Sequence, residues 1–497
     1  MSRAAQILAG ITSRRSAAQR RSNYAPRRVP HSFPPGYLRR RLLPLAPPAL
    51  LATTLSGISG LPLIPKGRRT PIRGVADRLA TDVSERAQRL YFDEPGLDTL
   101  TVRAIGTWAQ RLANIGRLYL RTRIALGWDA DGRAATMLPL VPRRGYDTLM
   151  VSMLVIGTAL GYFKGGPVHI ARFYDDSLTP ARLPLPDGQP IPQPRRLHAP
   201  RSLGDMCADI DDLYWAEGAG QTLKITRVGE GEKRRWLISM PGTESVDPIS
   251  NANPADTEAN IREVLNLPSS MRGGLLKALH DAMARDGIAP EDVVREPVMI
   301  CGHSQGGMVG TALATAPPET LGINVKALLT LGTPSRRLRI RDDVTMIAVA
   351  HDQDIVPSID GTSARVPDHR VSVGRRLVRP RKGPLYYAHA SVTYTETVHH
   401  MERKVAIAPW GRLPEAVARL REFLPSEDEP TRVFFYEVWQ DVLEPTHEHT
   451  WCTVVSLEDS QWQPVEHRIE WEPSPLMPLN YEDLRRWWTR NDAETNT

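Results

Sequence analysis

Residues 297–316 read PVMICGHSQGGMVGTALATA and predict a strand, a sharp turn and a helix in immediate succession. The apolar run at 297–301 is typical of a short buried strand, and the small residues from Gln305 onward favour a helix. Between them, Gly302 and Gly306 place no side chain where a strand and a helix crowd one turn. Ser304, at the centre of that turn, would lie at a helix N-terminus, where a backbone N–H can stabilise a developing oxyanion. A glycine-rich turn with an idle serine is the alternative.

Short apolar strands alternate with helices around this turn, which predicts an α/β fold with a mostly parallel sheet. The predicted strands are Gln221–Val228, Arg235–Met240, Pro297–Cys301, Val325–Leu331, Val344–Ala350 and His369–Val373. The predicted helices are Gly273–Arg285, Gln305–Ala316 and residues 391–404 and 413–424. We therefore place a catalytic domain at residues 201–424.

The N-terminal end of the chain has a different composition. Before Asp77 there are thirteen arginines, one lysine and no acidic residue, a charge of +14 that leaves −7 for the rest of a chain whose total is +7. We expect residues 1–75 to form a disordered basic arm. Residues 76–200 predict a helical region that ends in a Pro- and Arg-rich connector from residue 164 onward.

The C-terminal end, residues 425–497, is rich in Trp and Glu and contains two strand-like runs, Arg432–Val438 and Trp451–Leu457. This change in composition and in secondary-structure pattern predicts a small β-rich appendage with a frayed tail.

Charge and cysteine content restrict the partners and the compartment. The basic charge is confined to one end and comes with no zinc-ligand spacing or stacking-aromatic motif, so we expect no nucleic-acid partner. Three cysteines far apart in sequence form no disulfide framework, which favours a cytoplasmic protein. Secretion or membrane association is the alternative, because an apolar run between Arg41 and Lys66 follows three arginines, although it holds five prolines. A second apolar run, Leu149–Phe163, is shorter than a spanning helix and predicts a buried helix.

GHSQGG after a short apolar strand resembles the nucleophile turn of lipases and esterases of the α/β-hydrolase superfamily. The similarity is closest to actinobacterial lipase-like hydrolases, is more distant to fungal-type triacylglycerol lipases, and covers roughly residues 220–424. It implies the α/β-hydrolase fold, a catalytic Ser304, and partners in the chain order serine, acid, histidine.

The loop after Val344–Ala350 offers the acid. Asp354 stands in Asp-Ile-Val-Pro, which is similar to the Asp-x-Val-Pro run that carries the acid in lipases of this superfamily. The resemblance therefore implies Asp354, with Asp352 as the second choice. Asp360 lies in the same loop, and a solvated loop or a turn cap is the structural alternative for each.

Four histidines are candidates for the base. His389 follows the last predicted strand and precedes a helix. The spacing of five residues between His389 and Tyr394 resembles that seen in this family. His369 opens a strand and is interpreted as structural, and the pair His399–His400 lies inside a helix. We predict His389 as the base, and we expect His303 to point away from the nucleophile.

Two backbone N–H groups are expected to form the oxyanion hole. One belongs to Gln305, directly after the nucleophile. The other is expected on the turn Pro241-Gly242-Thr243 at the end of a predicted strand, at Thr243 or Glu244.

No metal site and no cofactor is predicted. The cluster His447-Glu448-His449 lacks the spacing that would place two imidazoles on one helix face. The predicted function is hydrolysis of a carboxylic ester, of a small molecule or of a lipid, through an acyl-serine intermediate. Membrane-surface contact is compatible with it. An acyltransferase with the same triad and a non-catalytic binding protein are the alternatives.

Overall fold

The structure is a computed structural model that describes residues 36–60, 65–94, 97–129, 145–159, 161–244, 249–360, 370–377, 388–407 and 411–443, together with 132, 134 and 409. Within these ranges eight strands form one sheet with helices on both faces. The predicted strand Trp451–Leu457 and the cluster at 447–449 lie outside the described residues.

The strands are β1 Gly165–Asp175, β2 Gln221–Val228, β3 Arg235–Met240, β4 Pro297–His303, β5 Asn324–Leu331, β6 Thr345–His351, β7 Arg370–Arg375 and β8 Thr431–Val442. The helices are α1 Tyr37–Leu42, α2 Ala46–Gly60, α3 Lys66–Asp93, α4 Leu97–Ala125, α5 Gly145–Ala159, α6 Leu203–Leu213, α7 Thr257–Val264, α8 Ser270–Arg285, α9 Gln305–Ala312, α10 Pro318–Leu321, α11 Ser391–Ile407 and α12 Leu413–Arg421.

The strand order is β1-β8-β2-β3-β4-β5-β6-β7. Strands β3 to β7 run parallel to one another, whereas β1, β8 and β2 pair antiparallel. Because parallel strands end at the same edge, the loops that follow β3, β4, β6 and β7 meet there. Ser304, Asp354, His389 and Thr243 belong to these loops, and Gln305 begins the helix that follows Ser304.

The parallel strands are buried on both faces, as their near-continuous apolar sequences predict. In β4, Val298 and Ile300 pack toward one face, against α8 and α9, while Met299 and Cys301 pack toward the other, against α6, α11 and α12. Side chains alternate between the two faces along the strand, so burial of both faces fixes the orientation of β4 in the sheet. The position of Ser304, which directly follows β4, is fixed with it.

Two strands join the sheet from segments that the sequence predicted to lie outside it. β1 occupies part of the predicted connector at 164–200, and β8 occupies part of the predicted appendage at 425–497. β8 lies between β1 and β2, with Val438 opposite both Ile170 and Gln221. The described part of each segment is therefore integral to the sheet. The sequence missed this because the pairing partners are far apart along the chain.

The described part of the predicted disordered arm is helical. Helices α1 and α2 lie within residues 36–60, and α3 begins at Lys66. The prolines of α2, Pro47 and Pro48, stand in its first turn, where a missing N–H costs no helical hydrogen bond. The expected disordered arm is therefore helical over residues 36–60, and its residues 1–35 lie outside the described residues. None of the helices in the described ranges combines the length and the apolar character that a membrane crossing requires.

Candidate active site

Ser304 occupies the turn between β4 and α9 in a strained conformation. Its φ of 51° and ψ of −118° are rare for a residue with a side chain, and such strain costs about 1–3 kcal/mol. The turn is held because the Ser304 N–H donates to the Leu331 carbonyl of β5 over 2.8 Å. A Cβ on Gly302 would lie 2.4 Å from the carbonyl carbon of Gly306, so the turn needs glycine there. The predicted strand, turn and helix are all present.

His389 and Asp354 lie in line with the serine. His389 Nε2 is 3.1 Å from Ser304 Oγ, and His389 Nδ1 is 2.8 Å from Asp354 Oδ2. Because a carboxylate accepts, Nδ1 carries the proton, and Nε2 is left to accept from the serine hydroxyl. Asp354 is 2% exposed, whereas the His389 side chain is 25% exposed. The buried carboxylate therefore orients an imidazole that solvent can reach.

Three further groups surround the Asp354 carboxylate. Oδ1 accepts from the Val356 N–H over 3.0 Å, and Oδ2 accepts from the Tyr394 hydroxyl over 2.6 Å. Gly332, at the end of β5, leaves room for the pair, since a Cβ there would lie 2.9 Å from Asp354 Oδ2 and 3.0 Å from His389 Nδ1. The carboxylate is thus satisfied within the protein and aimed at the imidazole.

A second chain of hydrogen bonds runs from the turn after β3 to the backbone of His389. The Gly242 N–H donates to the Tyr214 hydroxyl over 2.6 Å, and that hydroxyl is 2.6 Å from His303 Nδ1. His303 Nε2 is 2.8 Å from the His389 carbonyl oxygen. A carbonyl only accepts, so Nε2 carries the proton and Nδ1 accepts from Tyr214. Burial lowers the pKa of His303 well below its usual value, which keeps this ring neutral.

A third histidine fixes the neighbouring peptide. His351, fully buried at the end of β6, donates from Nδ1 to the Ala388 carbonyl over 2.6 Å. Its ring stacks on Tyr394 at a centroid distance of 3.9 Å. Burial lowers the pKa of His351 to about 4. The carbonyls of residues 388 and 389 are therefore both held by buried neutral imidazoles.

The residues predicted for the oxyanion hole are joined by one side chain. Gln305 Nε2 donates to Asn260 Oδ1 over 3.0 Å, and Asn260 Nδ2 donates to Thr243 Oγ1 over 2.9 Å. Gln305 is the first residue of α9, so its N–H has no acceptor within the helix. The turn that holds Thr243 also lies against Ser304, since a Cβ on Gly242 would be 2.6 Å from Ser304 Cβ.

The other acids of the loop have different surroundings. Asp360 is fully buried and accepts from the backbone N–H and the guanidinium of Arg336, at 2.7–3.2 Å. The Asp352 N–H donates to the Arg375 carbonyl over 2.9 Å. The carboxylate that accepts from the imidazole of His389 is that of Asp354, the first choice from sequence.

The alternative histidines lie away from Ser304 or outside the described residues. His399 packs against α6, where a Cβ on Gly204 would be 2.2 Å from its ring, and His400 is exposed on α11. His369 lies outside the described residues. His303 does point away from the serine hydroxyl, but sequence reasoning missed that it holds the backbone of His389.

Sequence reasoning also missed Tyr214, His351 and Asn260. Their side chains reach the site from α6, the end of β6 and α7, and no motif marks them. The sequence distinguishes Tyr394 only by its spacing from His389. In the described part of the chain no group of three or more His, Cys, Asp or Glu side chains is arranged to hold a metal ion.

The arrangement can polarise one serine hydroxyl, accept its proton and stabilise the resulting imidazolium. No family model, no curated protein and no solved structure matches this chain.

Proposed function

We propose that this chain is a serine hydrolase that cleaves carboxylic esters through an acyl-serine intermediate. The proposal depends on one observation, the aligned contacts from Ser304 Oγ to His389 Nε2 and from His389 Nδ1 to Asp354 Oδ2, at 3.1 and 2.8 Å. A hydroxyl, an imidazole and a buried carboxylate in this order form the standard device for activating a serine.

In the proposed reaction Ser304 Oγ attacks the ester carbonyl while its proton moves to His389 Nε2. The tetrahedral oxyanion accepts from the N–H groups of Gln305 and Thr243. His389 then gives the proton to the departing alcohol, which leaves the acyl-serine. Water, deprotonated by His389, attacks that ester, and the acid departs as the serine regains its proton.

Thr243 is proposed as the second oxyanion donor because the other two residues of its turn have no free backbone N–H. The Gly242 N–H already donates to Tyr214, and Pro241 has no N–H. The Thr243 amide therefore remains as the candidate on the turn Pro241-Gly242-Thr243, which lies against Ser304.

The finer assignment, an α/β-hydrolase fold, is part of the proposal. Three features support it: the serine follows a central parallel strand, the turn after the neighbouring β3 lies against the nucleophile, and the chain order is serine, acid, histidine. The acid follows β6, and the histidine lies between β7 and α11.

A fluorophosphonate probe tests the proposal, because it reacts covalently with an activated serine. We expect one equivalent of label on the wild-type chain, on the peptide that contains Ser304, and none on Ser304→Ala. Ser426→Ala removes an exposed serine and should label like the wild type. An unlabelled wild type, or equal labelling of Ser304→Ala, would refute the proposal.

A series of p-nitrophenyl esters of increasing acyl length then tests the reaction itself. Turnover in water, with release of the free acid, is the expected result, and the preferred acyl length defines the substrate class. Labelling by the probe without any release of free acid would contradict hydrolysis.

A further inference from the structure

Helix α4 carries a row of exposed apolar side chains, which we call the α4 stripe: Ile105, Trp108, Leu112, Ile115 and Tyr119. Steps of three and four residues place them on one face of the helix. The last four are 61–65% exposed. Soluble proteins usually scatter such residues singly, so a continuous row marks an interaction surface.

The stripe is distinct from the face with which α4 packs against the protein. That packed face contains the buried residues Ala109, Ala113 and Leu120. It also contains Gly106, where a Cβ would be 3.9 Å from the Tyr146 ring of α5. Within the described ranges α4 therefore uses one face for its own fold and leaves the stripe exposed.

The charge beside the stripe has a single sign. After Asp98 no acidic residue follows until Asp129. At 3.6 residues per turn Arg111 and Arg123 flank the stripe, whereas Arg117 and Arg121 lie on the opposite side of the helix. The Arg111 guanidinium lies over the Trp108 ring at 5.5 Å. A second copy docked along the stripe would bring the flanking arginines of the two copies together, which is unfavourable. The complementary partner is therefore anionic.

The aromatic residues favour a lipid surface as that partner. Trp108, Tyr119 and Trp128 are each more than 60% exposed, and Trp and Tyr rings prefer the boundary between headgroups and acyl chains. The stripe spans about 21 Å along the helix axis, given a rise of about 1.5 Å per residue. A helix with Trp and Leu on one face and Arg on the other is typical of segments that lie in a membrane interface.

The position of the α4–α5 pair connects this surface to the candidate active site. The Tyr146 hydroxyl donates to the Ile359 carbonyl, in the loop that follows Asp354, and Asp147 forms an ion pair with Arg337. Met150 and Leu154 of α5 pack in one cluster with Met308 of α9, the helix that begins after Ser304.

We propose that the α4 stripe docks on the surface of an anionic lipid bilayer. The five apolar side chains enter the boundary between headgroups and acyl chains, and the flanking Arg111 and Arg123 meet the anionic headgroups. The interaction does not depend on the ester chemistry proposed above.

The test is sedimentation of the full chain with vesicles of phosphatidylcholine, with and without an equal amount of phosphatidylglycerol. We expect binding to the anionic vesicles and little to pure phosphatidylcholine. Leu112→Glu/Ile115→Glu should weaken binding by at least about 30-fold, because two buried apolar side chains are lost. Arg111→Gln/Arg123→Gln, which removes the two arginines that flank the stripe, should weaken it by about tenfold or more and reduce its salt dependence.

The matched control is Ile407→Glu, which changes an 84% exposed isoleucine at the end of α11 and should bind like the wild type. The arginines of residues 1–35 are present in every variant, so a difference between variants reports on the stripe. Circular dichroism verifies folding, and if the glutamate pair fails to fold, the arginine pair decides.

Three results would overturn the proposal. The first is a wild type that fails to bind anionic vesicles, and the second is wild-type binding by every variant of the stripe. The third is a change of mass, measured by light scattering, in Leu112→Glu/Ile115→Glu with vesicle binding unaltered. That would assign the stripe to a contact between protein chains.

Discussion

At the scale of single residues, three histidines of the site differ in burial and in the groups that they contact. His389 faces the serine hydroxyl and is partly exposed. His303 and His351 are buried and donate to the carbonyl oxygens of His389 and Ala388, respectively. The buried rings have lowered pKa values and stay neutral, so each keeps one donor and one acceptor. Their tautomers are therefore fixed by the surrounding hydrogen bonds.

Asp354→Asn should lower kcat for ester hydrolysis by about 10⁴-fold, because an amide would favour the wrong tautomer of His389. The measurement is steady-state hydrolysis of a p-nitrophenyl ester, with the folded state verified by circular dichroism. Asp352→Asn is the matched control and should retain kcat to within a few-fold. If the two variants exchange these results, the acid is Asp352.

His303 is expected to act as a positioning residue. His303→Leu removes the donor to the His389 carbonyl and leaves the buried Tyr214 hydroxyl without its acceptor, so kcat should fall by about 10–100-fold with little change in KM. His303→Gln keeps an amide donor and should recover part of the loss. Stability is measured separately by urea unfolding. Equal kcat values for the two variants, or losses that follow stability alone, would contradict positioning.

At the scale of elements, the parallel strands could be predicted because their local signal is strong. Strands β2 and β3 have the predicted bounds, and β4 extends the predicted strand by two residues, to His303. That Ser304, Asp354 and His389 lie close together could be predicted, because each follows a predicted strand and belongs to a short sequence motif that resembles one of a known family. Tyr214 and Asn260 could not, because their roles arise only when α6 and α7 pack beside the turn after β3.

Strand β8 shows the same limit for topology. Its apolar run predicted a strand, but its place between β1 and β2 depends on pairings such as Val438 with Gln221 that leave no local pattern. The alternation of strands and helices along the sequence ends before β8, and this suggested a domain boundary at 425. β8 nevertheless pairs within the same sheet.

Val438→Pro tests whether β8 is integral to the sheet. Val438 is fully buried in a strand with partners on both sides, where proline removes a donor and clashes, so we expect a loss of about 3 kcal/mol or more in the free energy of unfolding. Val438→Ala, which only shortens the side chain, should cost less. The measurement is urea unfolding followed by circular dichroism. A proline variant as stable as the alanine variant would mean that β8 is dispensable.

At the scale of the whole molecule, two sets of buried groups give stability opposite dependences on pH. His351 has its pKa lowered from 6.5 to about 4, so the unfolded chain binds a proton that the folded chain refuses, and stability falls as pH drops through this window. Burial raises the pKa of Glu437 from 4.5 to about 7 and that of Asp256 from 3.8 to about 7. The folded chain keeps these protons longer, so their contribution to stability falls as pH rises toward 7.

Glu437→Gln separates the two sets. Glu437 is fully buried in β8 and accepts from the Gly220 N–H and the Thr222 hydroxyl, both of which an amide can still engage. Between pH 4.5 and 7 the variant should gain stability over the wild type, reaching about 3 kcal/mol at pH 7.5, because it no longer has to ionise a buried carboxyl. Urea unfolding at pH 4.5, 5.5, 6.5 and 7.5 measures this difference.

The control is Glu415→Gln, which changes an exposed carboxyl paired with Arg419 on α12 and should show no comparable change. If the difference between Glu437→Gln and the wild type stays constant with pH, Glu437 ionises in the folded chain as it does in the unfolded one. Burial in β8 would then carry no penalty for charge.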